Sequence, residues 1–205
     1  MAYQSAAEHN GPLVDRIWAV GDNPALRKII LAVVGAALLT LSAKIQIPFY
    51  PVPMTMQTLV IPLIGAAYGW RLGMTTVMLY LAQGMLGMPV FANTPPAVAG
   101  PAYFMGPTAG FLVGFVAFAG IVGFAVEKGA ARSILGLTGV ILLAKVVLFT
   151  LGGLWLAQYA SLANGAVGIG FERTWGVIQG FLLGDLLKTG IAVALIAIFA
   201  RKTAV

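Results

Sequence analysis

The sequence predicts an all-α polytopic membrane protein, a bundle of six transmembrane helices with both termini in the cytoplasm. Three observations carry this. The 205 residues are 60% hydrophobic and only 9% charged, with a mean hydropathy of +0.96, whereas soluble domains carry about 25% charged residues. Apolar runs of roughly 20 residues recur along the chain, the length that a hydrocarbon core requires. Basic residues fall on alternate connections, as they do where cytoplasmic loops retain Lys and Arg. The runs are continuous and do not alternate with period two, which argues against a β-barrel. Twenty-six glycines suit close helix approach, and the absence of cysteine rules out disulfides.

Residues 1–26 read as a polar cytoplasmic leader of mixed charge with no secretory signal peptide, so the first apolar run is a retained helix. A single membrane domain then spans 27–202, followed by a tail at 203–205. Its first segment covers about 27–45, RKIILAVVGAALLTLSAK. The connection IQIPFYPVPMT cannot be regular helix, because each proline removes a donor and restricts its neighbour. The second segment, about 56–70, is short and ends at Trp70-Arg71; the third follows at about 72–88. A second Pro/Gly-rich connection, MPVFANTPPAVAGPAYFMGPT, is too long for a simple turn. The fourth, fifth and sixth segments cover about 109–126, 134–157 and 175–200.

The charges orient the bundle. Arg16, Arg27, Lys28, Arg71, Lys128, Arg132, Arg201 and Lys202 all fall on one side of a six-span arrangement. The other side has only Lys44, Glu172 and Arg173. Both termini are therefore assigned to the cytoplasm. Trp155 and Trp175 then lie near the outer interface and Trp70 near the inner one. The net charge of +6 follows from these cytoplasmic residues, so no nucleic-acid partner is expected. Both Pro-rich loops lie outside, uncharged. They are either surface loops or irregular backbone folded back over the bundle, which is tolerated where it lines a cavity.

Within the sixth segment, GDLLKTG places Asp185 ten residues beyond Trp175, roughly 15 Å at about 1.5 Å per residue, near mid-membrane. Lys188 lies one turn deeper on the same face. A charge at the bilayer centre costs about 2.5–3.5 kcal/mol on insertion scales, and such residues mark ligand pathways or paired structural locks. Lys145 sits mid-way along the fifth segment with no acid within helical reach. Two lysines against one aspartate leave a spare cation, which loses its proton or finds an anion. A ligand carboxylate supplies one, and Asp185 can accept from a ligand N–H. Gln57, Asn93, Tyr50, Thr58 and Tyr103 are the polar residues nearest the outer loops. The implied ligand is small and largely apolar, with an anionic end and an amide-like end.

PVPMTMQTL (51–59), GMPVFAN (87–93), GPTAGFLVGF (106–115) and GDLLKTG (184–190) together resemble the BioY family, in order and at consistent spacing over most of 27–200. Its members are biotin-specific S components, the substrate-binding membrane subunits of energy-coupling-factor (ECF) transporters. The resemblance implies six helices whose first and third outer loops cap a pocket open to the outside. It also implies ligand contacts at Asp185 and Lys188, and at Asn93 and Gln57. Ala32 and Ala36, an A-x-x-x-A pattern with Gly35 beside it, would by the same resemblance dock a transmembrane coupling subunit that carries the force of two cytoplasmic ATPases. Internal packing accounts for that pattern equally well.

The chain has no G-x-x-x-x-G-K-[ST] and cannot build a P-loop alone. His9 is its only histidine, and neither an enzyme constellation nor a metal or haem site is indicated, so no cofactor is expected. The reading that follows is biotin capture for an ATP-driven partner complex. Alternatives are a self-sufficient facilitator or secondary carrier, an S component for another small vitamin, and a structural or lipid-handling membrane protein. No convincing internal repeat links 27–110 with 111–200, which weighs against a secondary carrier.

Overall fold

The structure, a computed structural model, describes residues 12–17, 23–97, 99–162 and 165–202. His9, most of the leader and the 203–205 tail lie outside the described residues. Helix α1 (Leu13–Ile17) is a short turn. Helix α2 (Pro24–Lys44) starts at Asn23, whose side chain accepts the Leu26 N–H, with proline in the first turn where its missing donor costs nothing. After it, Gln46–Ile47 (β1) and Met54–Thr55 (β2) pair antiparallel, Gln46 opposite Thr55. The first Pro-rich loop is thus closed on itself as a small ladder.

Helix α3 (Gln57–Met85) contains two membrane segments, not one. Gly69 interrupts it at φ 77° and ψ 173°, and a Cβ on Gly73 would lie 3.2 Å from the Gly65 Cα. Eight residues of continuous helix would span about 12 Å. The two arms therefore double back as a hairpin, and this turn accounts for the expected boundary at 70–72. Glu127 closes the turn by accepting the Trp70 N–H through Oε1 at 3.1 Å. Helices α4 (Ala109–Glu127), α5 (Ile134–Gln158) and α6 (Phe171–Lys202) complete the bundle. Among the described residues, α2, α4, α5 and α6 are each long and apolar enough to cross a membrane. With the two arms of α3 they make six spans, and the chain is a multi-pass membrane protein.

Small residues set the packing. Helix α4 meets both arms of the hairpin backbone to backbone: a Cβ on Gly65 would lie 2.6 Å from the Ala119 carbonyl oxygen, and one on Gly123 2.6 Å from the Trp70 nitrogen. Ala32 and Ala36 are 7% and 0% exposed, on the face of α2 where Gly35 meets Tyr68 and Thr76 of α3. The structure thus assigns the A-x-x-x-A pattern to packing inside the chain and leaves almost none of either alanine for a partner. The exposed side of α2 is instead the Ile29–Val33–Val34–Leu41 face.

The basic end is closed. Leu13 of α1 is buried in the core, Asp15 bridges Arg27 at 2.7 Å, and Pro12 lies against Gly69. The opposite end carries the two Pro-rich loops and a cavity beneath them.

Candidate functional site

The cavity lies beneath the two loops and is lined by residues of both loops and of α3, α4, α5 and α6. Its walls are apolar and largely aromatic: Phe91, Phe111, Phe115, Phe149 and Phe181 contribute from the second long loop, α4, α5 and α6. Phe149 stacks on Phe181 at 6.5 Å, and Phe49 of the first loop meets Phe181 edge-on at 5.8 Å. Val52, Pro53 and Met54 bring the first loop over the cavity, and Phe91 and Ala92 bring the other.

One polar corner interrupts this surface. Asp185, Lys188 and Lys145 are 4%, 6% and 4% exposed. Thr58 donates to Asp185 Oδ1 at 2.6 Å and accepts from Lys188 Nζ at 3.0 Å. Lys188 Nζ also donates to the Thr55 carbonyl at 2.9 Å and lies 3.3 Å from Asp185 Oδ1. Lys145 Nζ donates to the Asp185 carbonyl at 2.8 Å and stands 2.8 Å from Oδ2. That last contact is an ion pair off the hydrogen-bond direction, and among the described residues Oδ2 has no hydrogen-bond partner. One carboxylate is therefore shared between two ammonium groups, and a positive charge is in excess. Helix α6 brings Asp185 and Lys188 together because three residues make nearly one turn. The long-range member, Lys145, arrives from α5.

Asp185, Lys188, Gln57, Thr58 and Tyr103 line the cavity. Gln57 Nε2 donates to Tyr80 Oη at 2.9 Å, and Tyr80 donates to the Val90 carbonyl at 3.3 Å, which ties the second loop to the bundle. Tyr103 stacks on Phe91 at 4.6 Å and donates to the Ala92 carbonyl at 2.9 Å. Burial pushes its phenol above the ordinary tyrosine range, opposed by a hydrogen bond with Thr108, so it remains a neutral donor.

Three residues depart from expectation. Lys145 is buried behind Asp185 and does not reach the cavity wall. Tyr50 is 83% exposed, in the loop between β1 and β2. Asn93 is exposed with φ 59°, and its Oδ1 accepts from Gln46 Nε2 at 2.7 Å, so it links the two loops from outside. Two others were not anticipated. Tyr80 is wholly buried; a phenol at mid-span in MTTVMLYLAQG was the available signal. Lys44 donates to the carbonyls of Phe91 and Thr94, pinning the second loop to the end of α2. Its isolation as the lone basic residue next to the first loop marked it.

The model of the BioY family matches residues 13–204. The biotin transporter BioY of Thermotoga maritima is 33% identical over 177 residues, covering 86% of this chain and 97% of that protein. The biotin transporter BioY of Rhodobacter capsulatus is 32% identical over 177 residues, covering 82% and 91%. The fold is that of a crystal structure of the S-component for biotin from an ECF-type ABC transporter. The TM-score is 0.74 over 89% of this chain and 95% of that one, at 23% identity.

Proposed function

The chain belongs to the BioY family, and from that premise and the geometry of its buried charges we propose that it captures biotin from outside the cell for uptake, as the substrate-specific subunit of an ECF-type transporter. The observation that carries this is the buried Asp185–Lys188 pair, backed by Lys145, in the corner of an aromatic cavity beneath the two outer loops. Biotin combines an apolar bicycle with a ureido group and a carboxylate, which are the chemistries that such a cavity satisfies together. The aromatic walls take the bicycle. Asp185 and Lys188 serve the polar ends, and Gln57, Thr58 and Tyr103 complete the lining. The two loops enclose the ligand and remove its polar groups from water, and their prolines lower the cost of ordering them.

The chain carries no P-loop, so ATP-driven transport takes its force from a partner. A transmembrane coupling subunit with two cytoplasmic ATPases supplies it in this reading, turning the pocket inward. Because Ala32 and Ala36 are covered, the coupling subunit meets another face of the chain.

Uptake of labelled biotin tests this in cells that lack their own importer. With the coupling subunit and ATPases coexpressed, accumulation is expected, and Lys188→Met should reduce it at least about tenfold, equivalent to about 1.4 kcal/mol of lost binding at subsaturating biotin. Equal uptake with and without the ATPases would remove the partner complex from the account and make the chain a self-sufficient facilitator. No uptake in any combination, with the chain present in the membrane, contradicts the transport reading.

A further inference from the structure

Lys145 is the member of the charged cluster that faces away from the cavity. Helix α5 presents it from behind Asp185, where its ammonium meets both Oδ2 and the backbone carbonyl of that one residue, each at 2.8 Å. The same carbonyl also accepts the Thr189 hydroxyl at 2.8 Å. On the cavity side, the three donors of the Lys188 ammonium already have three neighbours: the Thr55 carbonyl at 2.9 Å, Thr58 Oγ1 at 3.0 Å and Asp185 Oδ1 at 3.3 Å. The Asp185 contact is the longest of these, and Oδ1 has a shorter bond, 2.6 Å, from Thr58. An arriving anion therefore has one place to go, in exchange for the loose Asp185 contact.

Without Lys145, Asp185 and Lys188 would form a neutral pair closed on itself, which has no reason to prefer a charged ligand over an uncharged isostere. With it, the carboxylate is neutralised from behind and Lys188 keeps a charge to offer. Selectivity is a difference between two affinities, and here the difference is created by a residue that the ligand does not touch.

We propose that Lys145 is a positioning residue that makes this site select an anionic ligand, by neutralising Asp185 and holding its carboxylate back so that the carboxylate of the ligand completes the coordination of Lys188. This deepens the biotin reading and rests on it.

The test is calorimetric titration of biotin and of biotinamide, its uncharged isostere, into the detergent-purified full chain. Wild type should favour biotin at least about tenfold. Lys145→Met should bind biotin about tenfold more weakly yet hold biotinamide within about threefold of wild type, so that the preference collapses. Lys145→Arg, which keeps the charge, should retain most of it. Equal losses for both ligands in a folded Lys145→Met, or an unchanged preference, overturn the proposal and reduce Lys145 to a structural brace. A wild type that binds biotin without favouring it over biotinamide also overturns it, with no variant needed, and leaves the biotin reading standing. If Lys145→Met does not fold, Lys145→Gln makes the same comparison. A wild type that binds neither ligand overturns the biotin reading and this proposal with it.

Discussion

Asp185→Leu is expected to cost about 3–5 kcal/mol of stability, because it leaves two buried ammonium groups with no counter-charge. In the native cluster Asp185 is the sole acid within reach of Lys145 and Lys188 among the described residues. The loss should appear as a lower temperature at which the detergent-solubilised chain ceases to be monodisperse. The same reasoning expects the triple replacement Lys145→Met, Asp185→Leu, Lys188→Met to recover that stability, since removing a whole buried ionic cluster is often neutral or stabilising. The triple variant should bind no biotin. Recovery of folding without recovery of binding would separate the energetic cost of the cluster from its use. An Asp185→Leu protein as stable as wild type would mean that the lysines are already discharged.

Gly69→Ala should have the second largest effect. The backbone there lies at φ 77° and ψ 173°, a region that is essentially glycine-only and strained by about 1–3 kcal/mol for other residues. A Cβ would also stand 2.1 Å from Glu127 Oε1 and 2.8 Å from Pro12 Cγ. The substitution therefore displaces the carboxylate that closes the hairpin turn and the leader residue packed against it. Gly139→Ala is the control: it lies in α5 with nothing within 4 Å of its Cβ position, and should be neutral or stabilising by roughly 0.5–1 kcal/mol. Equal thermal stability of the two variants would contradict the hairpin.

The six spans were legible because membrane helices announce themselves by length and flanking charge. The hairpin in α3 was legible as a boundary at Trp70-Arg71, although each arm alone is too short to declare itself a span. What the apolar alphabet hides is orientation. In a soluble helix the polar face marks solvent, but both faces of α2 are apolar, so nothing in AVVGA said whether Ala32 and Ala36 point inward or toward a partner. Burial and the contacts of Gly35 decide it.

The same contrast runs through the site. Asp185 and Lys188 were legible because ionised groups are costly at membrane depth, and their spacing fixes a shared helix face. Lys145 was legible as a buried cation, but only the packing of α5 on α6 places it behind the acid. Tyr50 and Asn93 sit in irregular loops, where no periodicity states which way a side chain turns. Lys44 and Tyr80 act through backbone carbonyls of the second loop, and such partners leave no trace in the sequence.

The central claim is that this cavity holds biotin, and calorimetric titration of biotin into the purified, folded wild-type chain tests it most directly. The expected result is saturable binding of one biotin per chain, weakened at least about tenfold, or about 1.4 kcal/mol, in a folded Lys188→Met variant. A folded wild type that takes up no biotin would contradict the claim and leave the buried charges as a structural lock.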